Sequence, residues 1–425
     1  MKFYPKAWHF IILIATALFL LRFNFIINST LLTIQTIRLI FVSPSFVFSQ
    51  INFQFLDPLL SSALVIIIPV IALLKHGSKF LQKKIDFTSL VIIILAAFFI
   101  LAPLAAGSNP DFQKNLSVTK LLPPLSRVKV LHLKSESHVV SDKNYFFYLK
   151  NLVVKRPFDE TIVYADSVIS ASDVICYQGG EQVEFPKEHI EYRNGSPVVT
   201  TRLFLLGTDE YGRDIFSRLI YGARISLFVG LGSVLVSMLL GVLLGFIAGY
   251  PGGVIDSLIS RITDMFLAFP VIFFIILIIA LFGNSIASVI FVLGFSGWMS
   301  LFKIVRGEVI SLKNKDYFIS ARLAGLTKTR LLTKEILPVI IAPVIVNLVF
   351  QYGNVILAEA ALSYLGLGTG SSYPSWGAMI ESGQNYLSQA WWLILFPAMA
   401  LFFTLLAANN LGKEINTYYN PRLEE

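Results

Sequence analysis

Apolar runs long enough to cross a bilayer dominate this chain, and a hydrocarbon core about 30 Å thick admits only helices or closed barrels. Eight runs stand out, near residues 9–27, 59–74, 87–106, 225–248, 266–282, 286–304, 336–361 and 390–411. They are helix-length rather than strand-length, so each is expected to be a transmembrane α-helix. Only 14% of the 425 residues are charged and mean hydropathy is +0.72, too little charge to cover a soluble surface. The expected fold is an all-α polytopic membrane protein of about eight spans with a small, mostly β external domain inserted.

The loops set the orientation. Lys2 and Lys6 precede the first run; Lys75, Lys79, Lys83 and Lys84 separate the second and third. Arg261 follows the fourth, a basic stretch follows the sixth, and Lys413 and Arg422 follow the eighth. Residues 28–58 hold only Arg38, and 362–389 hold no Lys or Arg. This alternation places both termini in the cytoplasm. It also accounts for the net charge of +8 without nucleic acid as a partner. The opening MKFYPKAWHFIILIATALFLL has a basic start and an apolar core, and no small-residue cleavage site follows, so a retained signal-anchor helix is expected. The single cysteine, Cys176, excludes an internal disulfide.

Residues 107–204 change character. Short β-type runs at 128–131, 145–154, 161–168 and 182–185 are broken by Ser, Asp, Asn, Gly and Pro. His132, His138 and His189 are scattered, with no carboxylate or thiol at ligand spacing, so no metal site is expected. Beyond this insert, Gly207, Thr208, Asp209, Gly212, Arg213 and Asp214 open a charged motif that continues through Arg218 and Arg224. Mixed signs at helical spacing suggest an interfacial helix held by local ion pairs, or else a gate or docking role. Gly241, Gly245 and Gly249 repeat every fourth residue and mark a close helix–helix contact. Asp256, Arg261, Asp264 and Glu359 would be costly if buried unpaired, and Glu359 is the candidate for a pore or helix-locking role.

The basic stretch ISARLAGLTKTRLLTKEILP interrupts two apolar runs on the cytoplasmic side. Residues 316–324 can form a short helix, Gly325 suits the left-handed position that ends one, and Thr327 can cap a second helix leading into the seventh run. Ile319, Leu323 and Leu326 fall at helical spacing and supply an apolar anchor, while Ser320, Ala321 and Ala324 are small enough for docking in a cleft. An ordinary juxtamembrane amphipathic helix is the other reading of this pattern.

This stretch resembles the EAA loop of permease subunits from binding-protein-dependent ABC importers, with Gly325 as its glycine and Ile336-Leu337-Pro338 as its closing tripeptide. Ile319 and Ser320 stand where that motif has an acid and an alanine. Further blocks resemble the second permease of the dipeptide/oligopeptide/nickel group, in that group's order. They are LAAFFILAPLAAGSNP, LLGTDEYGRDIFSRLIYGARISLFVG, GYPGGVIDSLISRITDMFLAFP, VRGEVISLKNKDY, AEAALSYLGLG, PSWGAMIESGQNYL and the terminal NPRL. The likeness covers most of 86–106 and 205–425.

The resemblance implies a type I ABC importer permease core at 205–425 and a non-catalytic half of a translocation pore for peptides or a related solute. It implies a prokaryotic cytoplasmic (inner) membrane location. Ile319, Ser320, Ala321, Arg322, Gly325, Leu326 and Pro338 would form the coupling loop within 313–338. Implied partners are cytoplasmic ABC ATPase subunits holding ATP and Mg, a second homologous permease, an extracytoplasmic solute-binding protein and the lipid bilayer. No cofactor is expected on this chain, which lacks GxxxxGK[ST]. Residues 1–80 would be an extra helical pair, 81–106 the family's first span and 107–204 the extracytoplasmic domain. A membrane-embedded enzyme would need a convergent nucleophile or metal set, and HExxH and GxSxG are absent. A secondary transporter would be expected to show internal repeats, and none is evident.

Overall fold

The computed structural model describes residues 6–74, 85–134, 142–154, 161–170, 174–368 and 374–419. Lys2, Lys75, Lys79, Lys83, Lys84, His138 and the tail containing NPRL lie outside the described residues. The chain divides into two compact units, Met1–Arg224 with Ser382–Pro397, and Ile225–Glu381 with Ala398–Glu425.

In the first unit α1 (Ala7–Leu21), α4 (Phe53–Leu74) and α5 (Phe87–Ala105) pack together. Arg22 ends α1 and donates to the carbonyls of Leu104 (3.1 Å) and Ala106 (2.9 Å) at the end of α5. Near the start of α4, Ser61 donates to Ile100 O at 3.0 Å. The end of α1, the start of α4 and the end of α5 therefore share one level.

Between α1 and α4 the sequence reading fails. Residues 28–58 were expected to be a bare loop, yet α2 (Phe23–Val42) and α3 (Pro44–Gln50) fill most of it. The hydroxyls of Thr30, Thr33 and Thr36 each bond the carbonyl four residues back, so residues that lower hydropathy still sit in the helix. The expected run at 9–27 accordingly breaks at Arg22. By length and composition α2 could cross a membrane, whereas the 15-residue α1 is short for it. The packing favours α1 as the span. α2 leaves the level that α4 must regain, and the only link back is α3, whose 7 residues rise about 10 Å. Moreover, α2 packs on α6 (Asp142–Val153), a helix of the insert, through Phe25, Leu32, Leu39, Phe146, Leu149 and Val153.

That α6 is helical corrects the β-type reading of 145–154. The aromatic content of this segment suggests a strand, but Phe146, Leu149 and Val153 recur at spacings of three and four and form one buried stripe. Apart from short helical turns at Leu116–Thr119 and Lys187–His189, the other regular elements among the insert's described residues are β-strands. β1 (Ser126–His132) lies between β2 (Ile162–Ala165) and β8 (Val199–Phe204), antiparallel to both. β3 (Ser167–Ser170), β4 (Val174–Gln178) and β5 (Glu181–Phe185) make a second sheet, and β6 (Tyr192–Arg193) pairs with β7 (Ser196–Pro197). Val128 and Val130 pack with Phe112, Val118, Tyr164 and Phe204, while Leu131 packs with Val163, Val174, Cys176 and Ile190. Burial raises the Cys176 thiol above its ordinary pKa.

In the second unit the part of α7 (Ile215–Gly249) beyond Arg224 meets α10 (Ile286–Lys313) along the glycines. A Cβ on Gly241, Gly245 or Gly249 would approach Leu301, Val305 or Val309 to 2.9, 2.6 or 3.0 Å. Each glycine admits the residue one turn further along α10, so the two backbones come close over two helical turns. α7 turns Leu231, Leu235, Leu239 and Leu243 outward, an apolar stripe that suits lipid. The run expected at 266–282 is not one straight span. α8 (Gly253–Ala268) and α9 (Val271–Phe282) meet at 90°. Pro270 lacks an N–H and drives Phe269 to φ −85°, ψ 131°, so no helix passes through. Among the described residues seven helices are long and apolar enough to cross a membrane, or eight if the bent pair is one span.

Candidate functional site

α11 (Asp316–Leu323) follows α10 after a two-residue link, and Phe318 fastens it to the second unit's core, packed with Leu312, Leu331 and Ile336. Two hydrogen bonds end the helix: Gly325 N donates to Arg322 O (3.1 Å) and Leu326 N to Ala321 O (3.3 Å). This closure needs a left-handed residue, and Gly325 has φ +80°. Lys313 caps the neighbouring end of α7 by donating to Tyr250 O at 2.6 Å and Gly249 O at 3.2 Å.

The expected anchor of Ile319, Leu323 and Leu326 divides. Leu326 and Ala321 pack against the chain's own core, while Leu323 is 82% exposed, with Tyr317 and Ile319 exposed beside it. Ser320, Arg322, Ala324 and Gly325 are also exposed. Phe318, which the sequence reading missed, holds the helix; its only signal is its place one residue before the motif. Thr327 stands at the start of the next turn (Lys328–Arg330), but its side chain makes no capping bond. The chain then passes through one π-helical turn, Leu331–Ile336, into α12 (Leu337–Tyr364). A continuous α-helix would press the Pro338 ring against the Lys334 carbonyl, and the wider turn relieves that clash. The result is a bent elbow that is fixed on one face and presents apolar and basic groups on the other.

The motif at 207–214 is built differently. It was expected as an exposed interfacial helix with weak ion pairs, but it is a buried knot preceding α7. Thr208, Asp209, Arg213 and Asp214 are all at most 9% exposed. Asp209 accepts from Tyr211 N (2.9 Å), Arg213 N (2.8 Å) and Arg213 Nε (2.6 Å), and Arg218 Nε lies 3.6 Å away. Thr208 N donates to Leu122 O, and Trp392 Nε1 donates to Thr208 O. Asp214 accepts from Ser217 Oγ at 2.6 Å and caps α7. Gly207 (φ +81°) and Gly212 are tightly enclosed, since a Cβ would fall 2.4 Å from Leu122 O and 2.2 Å from Thr119 Oγ1. Among the described residues, one carboxylate oxygen of Glu210 is buried without a partner, and burial followed by Asp209 raises its pKa.

Glu359 is completely buried in α12 and accepts from Ser226 (3.1 Å) and Ser363 (2.9 Å). Ser226 accepts in turn from Trp376 N at 3.2 Å, at the start of α13 (Trp376–Gly383). Glu359 thus ties α12 to α7 and α13. Asp256 pairs with Arg306 (Nη2 to Oδ2, 2.7 Å) and Asp264 with Lys303 at 2.8 Å, the second pair well exposed.

Residues 241–425 match the family described as "Binding-protein-dependent transport system inner membrane component". The chain is 40% identical to a Brucella suis biovar 1 protein named as a peptide transport system permease, over 220 residues, 52% of this chain and 74% of that one. It is also 40% identical to the Escherichia coli oligopeptide transport system permease protein OppC, over 216 residues, 51% of this chain and 72% of that one. A solved amino acid ABC transporter structure aligns over 47% of this chain and 94% of that one, with 16% identity and a TM-score of 0.38, too slight a likeness to argue from. This sequence kinship carries one conclusion: the chain belongs to the inner-membrane components of binding-protein-dependent transport systems and is a permease subunit of an ATP-driven importer.

Proposed function

We propose that the elbow formed by α11 and Gly325 couples this permease to a separate cytoplasmic ATPase that holds ATP and Mg, and that the cargo is a peptide. The carrying observation is the exposure of Leu323, 82%, on a helix whose opposite side is fixed by Phe318. A fixed helix with one apolar face free can seat in a partner's groove and pass rigid-body motion to α10 and α12, which it joins. Ile319 stands where the family pattern has an acid, so this contact is apolar rather than ionic. Arg322, Lys328 and Arg330 flank it with positive charge, which supports a cytoplasmic position for the elbow and, with the alternation of basic loops, for both termini. A second homologous permease completes the pore, and an extracytoplasmic solute-binding protein delivers the cargo. The peptide reading rests on the names of the relatives.

Leu323→Asp tests the coupling. It alters an outward side chain, so the variant should insert and fold normally but lose ATPase co-purification and uptake. Gly325→Pro should do the same by breaking the turn. Ala321→Trp is less clean because Ala321 packs inward. Co-purification of Leu323→Asp at the wild-type level would contradict the proposal.

A further inference from the structure

A groove of about 290 Å³ opens between α10 and α12, within the second unit. Asn347, Gln351 and Asn354 line it from α12, and Ser296 and Ser300 from α10. The three carboxamides are spaced four and three apart, so they form one polar stripe on an otherwise apolar helix. Its lining contains no charged side chain.

Two features set this groove apart from ordinary polar packing. First, Gln351 is firmly placed. Its Nε2 donates to Ser237 Oγ at 2.6 Å, and Ser237 in turn donates to Gly294 O. Gly297 makes room for it, since a Cβ there would lie 1.8 Å from Gln351 Nε2. The amide nitrogen is spent on the protein and the oxygen is left over. Second, Gln351 Oε1 and Asn347 Oδ1 are both buried with no hydrogen-bond donor among the described residues. Unsatisfied acceptors in a membrane helix are costly, and a donor from outside the chain would satisfy them.

We infer that this groove is a mid-path station for backbone N–H groups of the transported peptide, with Asn347 and Gln351 as acceptors. The inference rests on the peptide reading above. An uncharged, acceptor-rich lining holds what all peptides share and ignores their side-chain charge. Ser296 Oγ donates to Leu293 O at 2.8 Å and so retains acceptor capacity facing the same space.

The test uses the complete transporter, with its ATPase, second permease and binding protein, in proteoliposomes. Radiolabelled trialanine is compared with trialanine methylated at both internal amide nitrogens. Asn347→Leu removes one acceptor without breaking any hydrogen bond among the described residues. Uptake of trialanine should fall about fivefold, as loss of one hydrogen bond of ordinary net strength implies, and the preference over the methylated peptide should narrow. The thermal midpoint should not fall, because leucine is at least as well tolerated in a membrane helix; a purely structural asparagine would lower it. If uptake of both peptides drops in proportion with the preference unchanged, or does not drop at all, the groove is a solvated structural pocket and the inference is overturned. If the wild-type transporter takes up no trialanine, the peptide reading itself fails and takes this inference with it.

Discussion

Two charged motifs in this molecule look alike as text and behave as opposites. The 207–214 knot spends its charge internally: Asp209 satisfies three donors, Asp214 caps a helix, and the glycines leave no room for another atom. The elbow at 316–330 keeps Arg322, Lys328, Arg330 and Leu323 outward and commits Phe318, Ala321 and Leu326 inward. Density of charge therefore does not mark a docking surface. What distinguishes the two is whether the side chains are already satisfied by their own chain.

The contrast can be broken at four points. The largest expected effect is in the knot. Asp209→Ala leaves Arg213 and Arg218 without their shared carboxylate, and breaking a buried pair from one side costs about 3–5 kcal/mol. The purified protein should show a markedly lower thermal midpoint, and an unchanged midpoint would mean that the knot is not structural. Leu323→Asp should show the reverse pattern, with full thermal stability and no ATP-driven uptake. Gly325→Ala comes next. A β-carbon at φ +80° costs about 1–2 kcal/mol, so a small loss of midpoint should accompany weakened ATPase co-purification.

The smallest effect concerns Glu210. Its folded pKa is raised, so the folded state holds the proton more tightly than the unfolded chain. Stability from this residue is full below the ordinary glutamate range and declines as pH rises through the raised value. Glu210→Gln should thus raise the midpoint slightly at neutral pH, with the gain vanishing on acidification. A gain that persists at low pH would point to a cause other than titration.

Much of this architecture could be read in advance, for physical reasons that differ by region. The helix-ending glycine at 325, the close approach at Gly241, Gly245 and Gly249, and the chain's passage into α12 follow from backbone rules that act within a few residues. The failures came where tertiary packing outvotes local pattern. α2 was hidden because threonines that bond their own backbone depress hydropathy without breaking the helix. α6 was hidden because aromatic residues favour strands until a partner helix rewards their helical spacing. The buried state of the 207–214 motif depends on Leu122, Thr119 and Trp392, all distant in sequence.

The elbow's role is tested most directly by cross-linking at its exposed tip. In a Cys176→Ala background, which is otherwise free of cysteine, Leu323→Cys supplies a single thiol. A short sulfhydryl-to-amine reagent added to the assembled transporter should join this position to the ATPase subunit, and bound ATPase should shield it from a water-soluble maleimide. Equal maleimide labelling with and without the ATPase, and no cross-linked product, would contradict the coupling assigned to the elbow.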